Sequence, residues 1–388
     1  MTKNIAILTT GGTISSLSSS KGLKPAEGVI KYILQKLSFN NEILISDDGK
    51  TKLKIFPILN KDSTNITLYD QALLANEVFA LNKKFDGIVI THGTDTMQFT
   101  SSLLSIMLEK PKIPIVITGS MKTIEEKDTD AIENLNGAIE SAKSDLNGVF
   151  VFFHGNLMPG QLVYETKTDS GLTFKSAIGN VAVLKNNLLS YDISNLNKKN
   201  SSHMSLNANY NSNICTITIS PNNNELFLNQ VNTKYDGLIL LSYGSVGIPE
   251  RYSEVIDKII KKNIPIVLSS QIPSVHMGHG NYEINKIAKE LGIIPGIGLY
   301  SFDYSNMASS LGKLLVGNNN LNINKFEQLF NENIKIALSK SYLSDSSNNK
   351  NTSQKIYNEY NTYSPKNVIP PNLKSLKRKS FVTKLKSG

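Results

Sequence analysis

Ile5-Ala6-Ile7-Leu8-Thr9-Thr10-Gly11-Gly12-Thr13-Ile14 is the stretch on which the fold turns. A short apolar run closed by two glycines is the pattern of a strand buried on both faces that ends in a tight turn. The pattern recurs. Gly87-Ile88-Val89-Ile90-Thr91 is closed by His92-Gly93, Ile113-Pro114-Ile115-Val116-Ile117-Thr118 by Gly119-Ser120, and Gly148-Val149-Phe150-Val151-Phe152-Phe153 by His154-Gly155. Between these runs, Tyr69 to Asn82, Thr100 to Glu109 and Thr129 to Ala142 carry apolar residues at helical spacing, the last with Asp128 or Thr129 as its cap. Alternating strands and helices predict an open α/β sheet with helices on both faces. Ligands bind such sheets beyond the carboxyl ends of the strands. The segments Thr9–Thr13, Thr91–Thr96 and Thr118–Ser120 are therefore expected to converge on one rim.

The second half repeats the alternation. Residues 186–213 are rich in Asn and Ser and read as an inter-domain connection. Cys215–Ser220, Gly237–Ser242 and Pro265–Ser269 are strand-like, while Glu254–Lys261, Ile284–Leu291, Ser309–Leu315 and Phe326–Leu338 are helix-like. The expected organisation is a two-domain α/β protein. A larger N-terminal domain (1–190) has an open, mostly parallel sheet with flanking helices. A linker (191–212) leads to a smaller C-terminal α/β domain (213–340), and a basic tail (341–388) is expected to be disordered.

Composition narrows the function classes. The chain has 388 residues, 40% hydrophobic and 19% charged. No apolar run approaches the ~20 residues of a membrane-spanning helix. The single cysteine, Cys215, excludes an intramolecular disulfide, and its apolar neighbours Ile214 and Ile217 suit a buried, inert thiol. The net charge of +9 is misleading, because residues 349–388 hold nine basic residues and one acid. The body is nearly neutral, so the charge does not argue for a nucleic-acid-binding domain. The tail reads first as a solvated extension, with contact to an acidic surface as the alternative. The N-terminal apolar run is too short for a secretory leader, which gives a cytoplasmic expectation.

Two motifs carry the chemistry. Thr9-Thr10-Gly11-Gly12-Thr13-Ile14 lacks the G-x-G-x-x-G dinucleotide pattern and the Gly-Lys-Ser/Thr of a phosphate loop. It presents a hydroxyl just beyond a strand, although a plain βα turn uses the same residues. Thr91-His92-Gly93-Thr94-Asp95-Thr96-Met97 places a hydroxyl and a carboxylate where they position a small polar ligand. Capping of the next helix by Thr94 or Asp95 is compatible with that role, and His92 reads as a structural ring. Gly244-Ser245-Val246-Gly247 does not meet the Gly-x-Ser-x-Gly nucleophile elbow, because Tyr243 stands first.

Thr-Gly-Gly-Thr-Ile at residues 10–14 and His-Gly-Thr-Asp-Thr-Met at residues 92–97 together resemble the paired signatures of the bacterial-type L-asparaginase/glutaminase family. The resemblance covers roughly residues 3–335 and is nearest the cytosolic type I branch, through Asp62-Ser63, Ile117-Thr118-Gly119-Ser120 and Ser242-Tyr243-Gly244. It implies hydrolysis of the side-chain amide of asparagine, in some members glutamine, with no metal or organic cofactor. It further implies Thr13 as nucleophile, Thr94 and Lys167 as its activating partners, and Asp95 on the substrate's ammonium group. Backbone amides near Thr13 and Thr94 would form the oxyanion hole. Asp62 and Ser63 match the substrate-binding loop. A homodimer or homotetramer is expected. The sequence also departs from the family. The loop after Thr13 lacks the usual tyrosine and has Leu23 in its place, for which Tyr282 is the candidate substitute. Ala131 replaces a usual glycine, and Ala308 stands near a usual type I glutamate. Two other readings of the same resemblance are a non-catalytic asparagine- or aspartate-binding member and the ammonia-generating subunit of a tRNA-dependent amidotransferase. An extra N-terminal domain is expected of that subunit, whereas Thr13 lies almost at the start of this sequence.

Overall fold

The computed structural model describes residues 2–40, 44–168, 171–191, 204–221, 234–244, 247–273, 283–316 and 321–338. Tyr282, the Ser245-Val246 pair and the basic tail lie outside the described residues.

In chain order the N-terminal strands are β1 (Lys3–Gly11), β2 (Ser16–Ser19), β3 (Gly22–Pro25), β4 (Phe39–Asn40), β5 (Leu44–Ser46), β6 (Thr51–Lys61), β7 (Gly87–Thr91), β8 (Leu108–Glu109), β9 (Pro114–Thr118), β10 (Gly148–Phe153), β11 (Asn156–Pro159), β12 (Val163–Thr168), β13 (Gly171–Ser176), β14 (Ala182–Lys185) and β15 (Leu188–Tyr191). Ten of them form one sheet in the order β15-β14-β11-β10-β9-β7-β1-β6-β5-β4. The central five, β10-β9-β7-β1-β6, are parallel, and the outer strands add antiparallel. The helices are α1 (Val29–Lys36), α2 (Leu68–Leu81), α3 (Thr94–Met107) and α4 (Ala131–Ala142).

The near-continuous apolar runs are explained by burial on both faces. Ile5 and Ile7 point into one core with residues of α1 and α4. Their neighbours Ala6 and Leu8 point into the other, with α2 and α3. The same alternation divides Val89 from Ile88 and Ile90, and Phe150 and Phe152 from Val151.

The chain then forms β16 (Ser205–Leu206), β17 (Ile214–Thr218), β18 (Gly237–Ser242), α5 (Ser253–Ile260), β19 (Ile266–Ser270), α6 (Glu283–Glu290), β20 (Ile294–Pro295), α7 (Tyr300–Leu315) and α8 (Ile323–Leu338). Strands β17-β18-β19-β20 make a second, wholly parallel sheet. Residues of α5 pack on one of its faces, and α7 and α8 cover the other. Helix α7 also packs on α3, where Ser305 Oγ donates to the Phe99 carbonyl at 3.3 Å and the Phe99 and Tyr300 rings meet edge to face. The helix bearing the second motif is thus wedged between its own sheet and the C-terminal domain. No helix among the described residues is long and apolar enough to cross a membrane.

Several expectations need correction. Part of the 186–213 connection is ordered structure: β15 pairs with β14, and β16 pairs with β8. Of the two candidate caps of α4, Asp128 sits at a φ of 57° outside the helix, whereas Thr129 Oγ1 accepts from the Ala131 amide at 3.2 Å; Asp130, directly before the helix, makes no side-chain cap. Helix α3 starts at Thr94 rather than Thr100, and α7 starts at Tyr300 rather than Ser309. In the early segment of α7 polar residues are buried, among them Ser301, Asp303 and Asn306. A helix buried on more than one side loses its amphipathic signature.

Candidate active site

Three chain segments meet backbone to backbone at the carboxyl ends of β1, β6 and β7. Gly11 and Gly12 take φ of 109° and 74°, which only glycine adopts without strain. A Cβ on Gly11 would stand 2.2 Å from the Lys61 carbonyl oxygen, and one on Gly12 2.3 Å from the Gly93 Cα. A Cβ on Gly93 would stand 2.5 Å from Ser63 Oγ. The glycines are therefore required by proximity as well as by conformation. The Gly12 amide donates to the Lys61 carbonyl at 3.0 Å, and Thr10 Oγ1 donates to the Thr91 carbonyl at 2.9 Å. Gly119 closes the fourth side, its Cβ position lying 2.4 Å from the His92 carbonyl oxygen. The convergence expected of the three polar segments is present.

This apposition brings Thr13 and Thr94, each next to one of the touching glycines, to the same point of the rim. Thr13 opens a single 3-10 turn, Thr13–Ser15, in which Ile14 and Ser15 are buried and Thr13 is half-buried. Thr94 is the first residue of α3, capped by Gly93 rather than by Thr94 or Asp95. The first amides of a helix lack intrahelical acceptors and stand at the positive end of its dipole, so they suit an anion or a developing oxyanion. The Thr13 and Thr94 hydroxyls have no hydrogen-bond partner among the described residues. Asp95 lies in the first turn of α3 and accepts from Ser63 Oγ at 2.9 Å. Ser63 is 2% exposed, and its carbonyl accepts from Thr96 Oγ1 at 2.8 Å. Asp62 instead turns into its own 3-10 turn, Ser63–Asn65. It accepts from the Thr64 hydroxyl at 2.6 Å and the Thr64 amide at 2.9 Å, and these two bonds hold its carboxyl below the usual range.

Residues not singled out in the sequence support the site. Lys61 Nζ reaches both Asp70 oxygens, at 2.7 and 2.9 Å, and Asp70 forms a capping box with Thr67. Burial alone would raise the Asp70 carboxyl, but Lys61 and the Thr67 donors outweigh it, and the net shift is downward. The Asp62–Ser63 turn is thereby pinned to α2. His92 is wholly buried, which pushes it down to about 4 and keeps it neutral. Its Nδ1 lies 2.7 Å from the Gly93 carbonyl oxygen, so that nitrogen carries the proton. Its Nε2 accepts from Thr100 Oγ1 at 2.9 Å, and Gln71 Nε2 donates to Thr100 at 3.0 Å. His92 is a structural ring that fixes the Gly93 peptide. The sequence reading of His92 as a structural ring agrees with this, whereas its partners Gln71 and Thr100 were not singled out.

Lys167 and Leu23 are placed differently from the cluster. Lys167 is exposed on β12 opposite Leu172 and makes no ion pair or hydrogen bond with another described residue. Glu165, two residues earlier on the same strand face, is half-buried and lies within electrostatic reach of Asp95. The loop after Thr13 is a hairpin, β2 with β3, held by the Ser18 amide donating to Glu125 at 2.8 Å. Leu23 lies beyond its turn and is 56% exposed. Ala131 and Ala308 are buried in α4 and α7.

Residues 4–197 match the family model "Asparaginase, N-terminal", and residues 213–305 match "Glutaminase/Asparaginase C-terminal domain". The chain belongs to the asparaginase family. It is 32% identical over 294 residues to an L-asparaginase of Thermococcus kodakarensis, an alignment covering 75% of this chain and 87% of that protein. It is 29% identical over 289 residues to a glutamyl-tRNA(Gln) amidotransferase subunit of Methanosphaera stadtmanae, covering 69% of this chain and 63% of that one. In structure it is similar to the thermostable T. kodakarensis L-asparaginase, with a TM-score of 0.74 at 27% identity over 88% of this chain and all of that one. The L-asparaginase I of Vibrio cholerae shares the fold, with a TM-score of 0.72 at 22% identity over 86% of this chain and 97% of that one.

Proposed function

We propose that this asparaginase-family protein hydrolyses the side-chain amide of L-asparagine to aspartate and ammonia. The observation that supports the reading is the close approach of Gly12 and Gly93, the residues directly before Thr13 and Thr94. In this reading the Thr13 oxygen attacks the amide carbon and its proton passes to a base. The oxyanion is held by the amides at the start of α3, the base returns the proton to the amide nitrogen, and as the C–N bond breaks ammonia leaves to give an acyl-threonine ester. Water then cleaves the ester, restoring the Thr13 hydroxyl and releasing aspartate. Lys167 is the proposed base. It shares a strand face with Glu165 and has the length to turn toward the first turn of α3 when substrate closes the site. Asp95, oriented by Ser63, takes the substrate's ammonium group. Tyr282, outside the described residues, is proposed to assist Thr13 in place of a loop tyrosine. A homodimer or homotetramer and a cytoplasmic location complete the reading.

The relatives that are amidotransferase subunits favour a second reading, in which the same amide chemistry supplies ammonia to a partner enzyme. Asparagine and glutamine differ by one methylene, which a pocket discriminates by only about 1–3 kcal/mol. Ammonia release from both amides by the purified protein is the deciding test. Release from L-asparagine that disappears in Thr13→Ala and Thr94→Ala is the expected result. Wild-type release by Thr13→Ala would reject the nucleophile assignment. A strong preference for glutamine would move the assignment to the second reading.

A further inference from the structure

Strand β12 runs over the beginning of α3. Its residues alternate between two faces, so Val163, Glu165 and Lys167 share one face and Tyr164 and Thr166 the other. The Glu165 amide donates to Gln98 Oε1 at 3.1 Å. Gln98 follows Asp95 by one helical turn on the same side of α3, so Glu165 lies over the turn that carries Asp95. Burial, and then the charge of Asp95, push the Glu165 carboxyl above its usual range. Phe174 stands opposite Glu165 on β13, and Lys167 is the charged neighbour on its own strand. None of the ion pairs formed among the described residues includes Asp95 or Glu165. Two carboxyl groups thus lie within electrostatic reach of each other at the start of α3, and neither is in an ion pair among the described residues. Glu165 is half-buried and Asp95 exposed, and a cation held between them relieves the repulsion that raises Glu165.

We infer that Glu165 is a specificity-determining residue of this site, a second carboxylate that takes the α-ammonium of the amide substrate together with Asp95. This rests on the amidohydrolase reading above and adds a contact to that site. Glu165 selects amino-acid amides with a free α-ammonium over otherwise identical molecules without one. It takes no part in the bond-making steps.

The test uses the full chain and pairs of molecules that differ only by that ammonium. Binding of L-aspartate and of succinate is measured by calorimetry in a Thr13→Ala background, with and without Glu165→Gln and with Glu165→Asp. Losing one charged contact is expected to weaken L-aspartate binding about tenfold and leave succinate within about twofold. Glu165→Asp should recover part of the loss. In the active protein, Glu165→Gln should raise KM for L-asparagine by a similar factor with little change in kcat. Unchanged aspartate affinity, or equal weakening of aspartate and succinate in a variant that still melts cooperatively, would overturn the inference. Absence of ammonia release by the wild-type protein would overturn the amidohydrolase reading instead, and the calorimetric comparison would still decide Glu165.

Discussion

At the carboxyl rim of the N-terminal sheet the buried titratable side chain is His92, and at that of the C-terminal sheet it is Asp303. Both are wholly buried, and burial drives each toward its neutral form: His92 down to about 4 and Asp303 up to about 7. Their surroundings differ. His92 matches one donor and one acceptor, Gly93 and Thr100, and leaves the neighbouring threonine hydroxyls uncommitted. Asp303 collects Ser269 Oγ at 2.6 Å and the amides of Ile297 and Gly298 at 2.7 and 3.1 Å. Its carboxyl also fills the space where Gly296 would carry a Cβ. Among the described residues, the first rim leaves the Thr13 and Thr94 hydroxyls without partners, whereas at the second Asp303 takes up Ser269 and the amides of Ile297 and Gly298.

The contrast between the two rims meets its most severe test at Gly12. Gly12→Ala forces a Cβ into the Gly93 backbone at a φ of 74°. The expected loss is on the order of 4 kcal/mol in stability. Ammonia release should disappear as Thr13 moves from Thr94. Denaturant unfolding with a parallel ammonia assay measures both, and near-normal values would refute the close approach.

The two buried groups predict opposite pH slopes. Asp303 is raised from 3.8 to about 7, so its contribution is fully present below 3.8 and is lost as pH rises through about 7. His92 is lowered from 6.5 to about 4, so its contribution is present above 6.5 and is lost as pH falls through about 4. Asp303→Asn should destabilise the fold by about 3 kcal/mol at acid pH and remove the decline toward neutrality. His92→Gln should cost about 2 kcal/mol and flatten the acid limb. Unfolding free energies across pH 4 to 8 separate the two, and parallel slopes in both variants would contradict the contrast. The smallest effect is expected at Ser63→Ala, which frees Asp95 from its donor. It should cost about 1 kcal/mol in stability and weaken L-aspartate binding several-fold by calorimetry.

The central strands were legible because parallel strands buried on both faces leave an apolar run that local reading detects. Strand β6 was not: Lys52 and Lys54 alternate with Leu53 and Ile55, and Pro57 interrupts the run. The start of α7 was hidden by buried polar side chains, of which Asp303 and Ser305 bond to neighbouring segments instead of facing water. Among site residues, the glycine-flanked threonines could be read directly, since glycine at a strand end has a local conformational cause. Asp62 and Ser63 came from family resemblance, and the structure separates them: Ser63 is turned toward Asp95 and Asp62 into its own turn. Gln71, Thr100 and Lys61 left no local signal, and Asp70 left only the capping-box spacing from Thr67.

The sequence by itself determined where the parallel strands run and which glycine turns end them, because burial periodicity and glycine's backbone freedom act over a few residues. Only the tertiary structure decided that Gly12 touches Gly93, that His92 is held by Gln71 through Thr100, and that Glu165 lies within electrostatic reach of Asp95. Those contacts join segments far apart in the chain. They depend on strand register and helix packing, which no local pattern of residues encodes.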